Sequence, residues 1–288
     1  MSESINALLT FCEGPHDVAY VRMALIKLLG FEKVKLLFRD LPSPFNLIFK
    51  KTVQEHVQGD LSLHMAHKFF LPDTILRNAN HWVLLFNSGG NKNNEVKTLI
   101  FDYLKFMPRA RTFSQGVNEV IESTRYLFVY DADSKGIKGV IKKFSNDFSS
   151  IVGTDFTVHD WEKTPNSDFG RVAGDKAVYV WGEDPDRGTL EDILIPLFTN
   201  DKEELMTKAK SAVVNMFPRD TDNIAPIIAV PALAKQKKSI LTLAGQGEKP
   251  GSSMAVILEQ SKLLTDTTLK GDPRTKEFTD FVAKFINL

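Results

Sequence analysis

Three short, continuous runs of apolar residues constrain the fold of this 288-residue chain more than any other feature. They occupy residues 7–12, 82–86 and 126–130, and each is followed by a segment whose apolar residues recur at helical spacing. Continuous apolar runs of this length are typical of strands that are covered on both faces of a sheet. Strands that alternate with helices predict an α/β fold with a mainly parallel sheet flanked by helices.

The same patterns predict further elements along the chain. We expect strands at residues 34–38, 156–158 and 177–181, and a flexible break at 245–251. Thr189 is placed to cap a helix that starts at Leu190. The remaining apolar periodicity predicts helices after Gly14-Pro15 up to Gly30 and at residues 95–106, 137–148, 205–217, 231–244, 252–264 and 275–286.

Residues 40–80 contain three prolines and scattered aromatic residues without a sustained period, so we interpret them as an insertion with one or two short helices. We divide the chain into an α/β domain at 1–198, which carries this insertion, and a helical C-terminal elaboration at 199–288 that packs on it. A chain of this length can bury a full core in such an arrangement.

The charge balance limits the partners that the chain can attract. It carries 36 Lys and Arg residues against 36 Asp and Glu, so nucleic-acid binding requires a local basic patch. Cys12 is the only cysteine, which rules out an internal disulfide and favours a reducing compartment. We see neither a signal peptide nor an apolar run that could span a bilayer. We therefore expect a cytoplasmic protein without a membrane partner, and we leave a homo-oligomer open.

Two acidic motifs, EGPHD at 13–17 and DAD at 131–133, each follow a predicted buried strand. Ligands of open α/β sheets bind outside the carboxyl ends of the strands, and the glycine of the first motif leaves room for one there. Asp131 and Asp133 can turn toward one point, and Mg²⁺ takes carboxylates together with substrate phosphate oxygens. Simpler interpretations stay open, because Asp17 complements a helix dipole and D-x-D is common in turns.

These motifs in this order resemble a known family. A strand followed by Glu-Gly-x-x-Asp, and a later strand followed by Asp-x-Asp, resembles the TOPRIM domain of topoisomerases, bacterial-type primases and OLD-family nucleases. The segment Thr189-Leu190-Glu191 is similar to the Thr-Leu-Glu segment of OLD-family TOPRIM domains, and the Gly-Gly turn after Phe86 lies where TOPRIM domains carry a glycine. The resemblance covers roughly residues 7–198, interrupted by the insertion, and implies a Rossmann-like, mainly parallel sheet.

The resemblance also implies roles for individual residues. Glu13 would be the general acid/base or a metal ligand, the aspartates of both motifs would hold Mg²⁺ or Mn²⁺, and Glu191 would serve a second ion. A C-terminal lysine would lie near the scissile phosphate, although solvated surface lysines explain the basic candidates equally well. The candidates are Glu13, Asp17, Asp131, Asp133 and Glu191 for metal, Glu13, Lys235, Lys237 and Lys238 for catalysis, and Gly14, Gly89, Gly90 and Lys135 for phosphate.

Several family members are excluded by what the sequence lacks. There is no G-x-x-x-x-G-K-[ST] phosphate loop, one cysteine cannot build a primase zinc module, and the chain is too short for the usual topoisomerase arrangement. The sequence therefore predicts a stand-alone TOPRIM protein, a Mg²⁺- or Mn²⁺-dependent phosphodiester hydrolase of the nuclease type that acts on nucleic acid. Two alternatives stay open: a non-catalytic module that binds metal and a nucleotide or nucleic acid, and a phosphatase of the haloacid-dehalogenase type with Asp131 as nucleophile.

Three other features have simpler explanations. His64 and His67 have the i,i+3 spacing of a metal site but lack a clear third ligand. Residues 45–51 and 67–70 interleave aromatic and basic side chains, which suits stacking on a single strand, but packing of the insertion explains the aromatic residues more simply. The thiol of Cys12 lies in a predicted buried strand, so we expect it to be inert.

Overall fold

A single sheet of eight strands organises the molecule, for which the computed structural model describes residues 3–57, 70–89, 92–112, 119–149, 161–165, 167–216, 230–260 and 263–288. The strands in chain order are β1 (Glu3–Cys12), β2 (Glu32–Lys33), β3 (Thr74–Asn78), β4 (His81–Asn87), β5 (Glu119–Asp131), β6 (Glu162–Lys163), β7 (Gly170–Ala173) and β8 (Lys176–Trp181).

The sheet has the strand order β2-β3-β4-β1-β5-β8-β7-β6, and the central strands β4, β1, β5 and β8 are parallel. The strands on both edges pair in antiparallel fashion. The protein is therefore a mixed α/β fold whose sheet is parallel in its core. After β1 the chain places β4 on one side of it and then β5 on the other, so the strand order reverses between β1 and β5. Such a switch point opens a crevice at the carboxyl ends of the strands.

Helices flank this sheet, and within the described residues none of them is long and apolar enough to cross a membrane. Helix α1 contacts α8, α9 and α10, while α3 contacts α2 and α4. The helices are α1 (Pro15–Leu29), α2 (Phe45–Val57), α3 (Asn93–Thr112), α4 (Gly136–Phe148), α5 (Glu191–Asp201), α6 (Glu203–Met216), α7 (Val230–Glu248), α8 (Met254–Gln260), α9 (Asp266–Gly271) and α10 (Pro273–Ile286).

Aromatic side chains link the sheet to helices that lie far apart in the sequence. The Phe128 ring on β5 packs 4.5 Å from that of Phe144 on α4. The Trp181 ring on β8 lies 5.4 Å from Tyr20 on α1 and 4.8 Å from Phe278 on α10. Burial by helices explains why the parallel strands are continuously apolar. Because Phe278 contacts Trp181, a C-terminal helix helps to form the core that also contains α1.

Most of the elements predicted from periodicity are present. The strands predicted at residues 7–12, 82–86, 126–130 and 177–181 are confirmed as β1, β4, β5 and β8. Within residues 40–80 the structure has the helix α2, in agreement with the prediction, and the strand β3, which the sequence patterns did not reveal. The predicted strand at 156–158 lies outside the described residues.

The strand predicted at residues 34–38 is wrong. The pairing of β2 with β3 ends at Lys33, and Phe38–Asp40 form a short 3-10 helix. Leu36 and Leu37 are exposed to solvent, so the apolar character of this run reflects a surface segment and not a buried strand.

The flexible break predicted at residues 245–251 is wrong in its first half, because α7 continues to Glu248. Two glycines lie inside the helix where neighbouring side chains approach its backbone. A Cβ on Gly245 would lie 2.5 Å from Ile257 Cδ1, and one on Gly247 would lie 2.8 Å from Leu205 Cδ1. Here glycine permits close packing and does not interrupt the helix.

Candidate functional site

The first acidic motif links the end of β1 to the start of α1. The backbone N–H of Glu13 donates to Val129 O at 3.1 Å, which holds the residue against β5. Gly14 precedes Pro15, the first residue of the helix, where proline is well tolerated. The carboxylate of Asp17 folds back so that its Oδ2 accepts from the N–H of Gly14 at 2.9 Å. A Cβ on Gly14 would lie only 3.2 Å from that oxygen, so glycine leaves room for the buried carboxylate.

The second acidic motif is held by the loop that joins β8 to α5. The N–H of Ala132 donates to Trp181 O at 2.7 Å, and Asp133 and Gly188 exchange backbone hydrogen bonds of 2.7 and 2.8 Å. Asp133 has a φ of 50°, a left-handed conformation that Asp adopts more readily than most residues. Gly136 has a φ of 63°, and a Cβ there would lie 2.8 Å from Asp186 Cα. The two loops therefore fix each other's geometry.

Hydrogen bonds connect the three acidic elements. Glu13 Oε2 accepts from the backbone N–H of Asp131 at 3.1 Å. Asp131 Oδ1 in turn accepts from the N–H of Leu190 at 2.9 Å, which places the carboxylate beside the start of α5. Glu191 is the first residue of that helix and is buried. Thus Glu13, Asp131 and Glu191, which the sequence places in three separate segments, lie in one neighbourhood at the switch point.

The predicted capping role of Thr189 is wrong. Leu190 is the N-cap of α5 and makes no side-chain capping bond, and Thr189 Oγ1 is buried without a hydrogen-bond partner among the described residues. The side chain of Asp192 makes the local contact, because its Oδ2 accepts from the N–H of Thr189 at 2.9 Å. Asp192 was not among the residues that the sequence patterns singled out.

Negative charge accumulates in this neighbourhood. Burial raises the pKa of Asp17 from 3.8 to about 7, and the charges of Glu191 and Glu13 act in the same direction. Burial also raises the pKa of Asp131 well above its ordinary value, with added repulsion from Asp17 and Glu191. Burial and the neighbouring negative charges therefore both favour the protonated form of Asp17 and Asp131.

Two carboxylate oxygens have no hydrogen-bond partner among the described residues. They are Asp17 Oδ1 and Glu191 Oε2, and both atoms are buried. Only 5% of the surface of Asp17 and 3% of that of Glu191 is exposed. A buried carboxylate oxygen without a donor is costly, so a proton or a bound cation would stabilise each of them.

An open cleft lies beside the acidic motifs. Glu13, Asp131 and Asp133 contribute acidic side chains to its lining, and Lys135 also lines it. The other residues that line it are Asn93, Tyr130, Val140, Lys143, Phe144 and Asp147. Of the five predicted metal ligands, three therefore face the cleft, while Asp17 and Glu191 are buried next to it.

The three C-terminal lysine candidates differ in their surroundings. Lys237 Nζ donates to Asp192 Oδ1, and both side chains are largely buried. Lys238 Nζ lies 3.9 Å from Glu191 Oε1 on a half-exposed side chain, while Lys235 is exposed.

The structure also brings His16 here, a residue that the sequence patterns did not single out. Burial lowers the pKa of His16, although the negative charge of Glu191 acts to raise it.

Two of the candidate phosphate-binding glycines lie among the described residues, and the backbone N–H of each donates a hydrogen bond within the protein. The N–H of Gly14 donates to Asp17 Oδ2, and that of Gly89 donates to Asn87 Oδ1 at 3.0 Å. Gly90 lies outside the described residues, as do His64 and His67. Lys135 is therefore the predicted phosphate-binding residue that the structure places at the cleft on an exposed side chain.

Packing explains the aromatic residues of the insertion. Phe45 and Phe49 are buried with their rings stacked 5.6 Å apart, and Phe45 also stacks on Tyr103 of α3 at 5.2 Å. Lys51 Nζ donates to Asp102 Oδ2 at 3.1 Å.

Cys12 is fully buried, and burial raises the pKa of its thiol well above the ordinary value, as expected for an inert cysteine.

The site fits a hard divalent cation in its donor chemistry, since it contains five carboxylates, two of which have a buried oxygen without a hydrogen-bond partner among the described residues. Across the described ranges, no group of three or more His, Cys, Asp or Glu side chains converges closely enough to hold a metal ion. Glu13 Oε2 and Asp131 Oδ1 are instead occupied by backbone N–H groups.

Comparisons with known proteins yield little. No family model matches the chain, and no curated protein matches it. Among solved structures, a hypothetical protein from Pyrococcus horikoshii OT3 is similar with a TM-score of 0.47 and 14% sequence identity, over 98% of this chain and 95% of that one.

Proposed function

We propose that this protein is a stand-alone TOPRIM protein that hydrolyses phosphodiester bonds of nucleic acid with the help of Mg²⁺ or Mn²⁺. One observation carries the proposal: Asp17 and Glu191 each have a buried carboxylate oxygen without a hydrogen-bond partner among the described residues, and they lie at a strand switch point where burial and neighbouring carboxylates raise the pKa of Asp17 and Asp131. Carboxylates with an unused oxygen at the carboxyl ends of parallel strands are the arrangement expected where a cation and a phosphate bind.

The residues that would hold the metal are those with free or exposed carboxylate oxygens. Asp133 is exposed at the cleft, and Asp17 and Glu191 offer the oxygens that have no hydrogen-bond partner among the described residues. Glu13 and Asp131 would contribute the oxygens that backbone N–H groups do not occupy. A bound Mg²⁺ or Mn²⁺ supplies charge stabilisation to a phosphate and makes water a better nucleophile.

The chain's own residues would orient the substrate and balance its charge. Lys135 lies at the cleft beside Asp131 and Asp133, where an ammonium group can bind a phosphate oxygen. The hydrogen bond from Asp131 to Glu13 holds the Glu13 carboxylate at the cleft, where it can take a proton from an attacking water. Lys237 is tied to Asp192, so we assign it to positioning the start of α5 rather than to contact with the phosphate.

The test uses purified protein with plasmid DNA, single-stranded DNA and RNA, each with Mg²⁺, with Mn²⁺ and with EDTA. Cleavage should require the metal and should fall by at least about tenfold in Asp131→Asn and in Glu191→Gln, since removing even an outer partner of a metal ligand typically costs about 10–100-fold. Asp40→Asn is the matched control, because Asp40 is an exposed aspartate outside the site. Metal-dependent cleavage that survives in both site variants, or no cleavage of any substrate, contradicts the proposal.

A second candidate function has its own support. Because backbone N–H groups already occupy oxygens of Glu13 and Asp131, the site also suits a module that binds metal and a nucleotide or nucleic acid without turnover. Titration calorimetry separates the two. Binding of Mg²⁺ and of an oligonucleotide, lost in Asp131→Asn but without cleavage, favours the binding module.

A further inference from the structure

The exposed surface of α4 is strongly basic. Together with its N-cap residue, Lys135, the helix contains four lysines and one aspartate, while the chain as a whole is neutral. The buried residues of the helix form the opposite stripe, with Ile137 and Phe144 among them. The four lysines, which we call the α4 lysine face, are Lys135, Lys138, Lys142 and Lys143, and all four are exposed.

The lysines of the α4 lysine face are not engaged by acidic side chains in direct contacts. None of the four lysines forms an ion pair with another residue of the described segments. The one acidic side chain of the helix, Asp147, accepts a hydrogen bond of 2.8 Å from Asn93 Nδ2. A concentrated, unpaired positive surface is what a polyanion needs on a protein whose net charge is zero.

The α4 lysine face adjoins the acidic site. Lys135 and Lys143 line the same cleft as Glu13, Asp131 and Asp133. The first amides of the helix do not take part, because the N–H of Gly136 donates to Ala132 O and the following one to Pro185 O. An anion at this cleft would therefore meet lysine ammonium groups and not a free helix N-terminus.

A glycine lies within the basic surface. Gly139 is inside α4, where glycine costs about 0.5–1 kcal/mol relative to alanine. A Cβ at this position would lie 2.7 Å from Lys135 Cβ. Glycine therefore preserves the position of Lys135 and leaves the helix backbone bare between the lysines, so that a ligand can approach closely.

We propose that the α4 lysine face binds the phosphate backbone of a single nucleic-acid strand and leads it into the acidic cleft. This inference rests on the proposed function, and it identifies the surface that holds the substrate. From Lys135 to Lys143 the helix rises by about 12 Å at ~1.5 Å per residue. That length suits several consecutive phosphates of one strand, with the cleft-lining lysines nearest to the carboxylates.

The test measures the fluorescence anisotropy of labelled DNA and RNA strands of about 20 nucleotides, longer than the roughly 4–16 nucleotides of common single-strand sites. EDTA is present so that the probe stays intact. In Lys138→Gln plus Lys142→Gln, the dissociation constant should rise at least about fivefold. The slope of log affinity against log salt should shrink by about 0.7 for each phosphate that is no longer neutralised. The double Lys→Arg variant at the same positions should bind as the wild type does.

Lys270→Gln plus Lys284→Gln is the matched control, since it removes two exposed lysines of α9 and α10. Wild-type binding that is absent, or that is unchanged by the α4 substitutions, overturns the inference, and so does an equal loss in the control. The experiments distinguish failure of this inference from failure of the proposed function. If binding depends on the lysines but no metal-dependent cleavage occurs, only the hydrolase is refuted. If both cleavage and binding are unaffected by the α4 substitutions, only the role of the α4 lysine face is refuted.

Discussion

The backbone N–H of Asp131 donates to Glu13 Oε2 at 3.1 Å, so the two acidic motifs are hydrogen-bonded to each other although 118 positions separate them in the chain. The bond crosses the boundary between β1 and β5, where the strand order reverses. It fixes one carboxylate oxygen of Glu13 at the cleft. Asp131 extends the connection to the N–H of Leu190, so a single residue links three segments of the site.

Asp17 should make the protein less stable as the pH rises. Its pKa is about 7 in the folded protein against an ordinary 3.8, so between these values the folded protein holds a proton that the unfolded chain has released. The free energy of unfolding therefore falls across this pH window. Asp17→Asn keeps the acceptor for the N–H of Gly14 and should raise the melting temperature at pH 8 by several degrees, at ~2–4 °C per kcal/mol.

The measurement is thermal unfolding of the wild type and Asp17→Asn at pH 5 and pH 8. The gain should be much smaller at pH 5, where the wild-type carboxyl is largely protonated. Asp40→Asn, at an exposed position, serves as the control and should give the same small effect at both pH values. An Asp17→Asn variant that is destabilised equally at both pH values would contradict the shifted pKa.

Mg²⁺ should stabilise the folded protein at pH 8. Asp17 and Glu191 each have a buried carboxylate oxygen without a hydrogen-bond partner among the described residues, and a ligand that binds only the folded state adds about 2.7 kcal/mol at a hundred times its dissociation constant. The melting temperature should therefore rise with Mg²⁺ more than with NaCl of equal ionic strength. Asp131→Asn combined with Glu191→Gln should abolish the difference. An equal response to both salts in the wild type contradicts specific binding.

Continuous apolar strands made much of the architecture predictable. Residues 7–12 and 126–130 are strands buried on both faces. Such strands have continuously apolar sequences and do not alternate between apolar and polar residues, so the sequence identifies them as central strands of a sheet covered by helices. An acidic residue directly after such a strand must lie at the carboxyl edge of the sheet, so the positions of Glu13 and Asp131 followed from local pattern. That β5 lies directly beside β1 did not follow, because strand order depends on the connections and not on the strands themselves.

Long-range pairing explains what the sequence patterns missed. The importance of Asp192 depends on a lysine 45 positions away, and no local period indicates that contact. Likewise, Lys143 belongs to the site because the cleft beside Asp131 extends along α4. At residues 36–38 the local pattern predicted a strand that is not there. These residues are apolar like those of a core strand, but they are exposed and have no neighbouring strand.

Lys237 should act by positioning Glu191. It is 18% exposed and its partner Asp192 10%, and Asp192 also accepts from the N–H of Thr189. Lys237→Gln should therefore destabilise the protein by about 1.5–3 kcal/mol, the usual range for a hydrogen bond to a charged group. It should also weaken the stabilisation by Mg²⁺, because the start of α5 carries Glu191. Lys235→Gln, at an exposed lysine of the same helix, should change neither quantity.

A double-mutant cycle with Asp192→Asn tests the pairing of Lys237. The loss from the double substitution should be smaller than the sum of the two single losses, because the two residues share one interaction. Additive losses would show that Lys237 acts independently of Asp192. A Lys237→Gln variant that has normal stability and a normal response to Mg²⁺ but does not cleave would show that Lys237 acts in catalysis and not in positioning α5.

Gly188 should be the least replaceable glycine of the site. Its φ is 115°, and a Cβ there would lie 2.1 Å from Glu183 N, so alanine would displace the loop that exchanges backbone bonds with Asp133. Gly174 is the matched control, since its φ is also positive at 60° but a Cβ added there would meet no described atom within 4 Å.

Gly174→Ala should cost only the strain of a left-handed residue, about 1–2 kcal/mol, and Gly188→Ala at least about 2 kcal/mol more. Urea unfolding with an unchanged m-value measures both costs. Because the same loop carries Leu190, whose N–H binds Asp131, Gly188→Ala should also reduce the stabilisation by Mg²⁺, while Gly174→Ala should not. Equal costs for the two substitutions would mean that the contact between the β5–α4 and β8–α5 loops does not hold the site together.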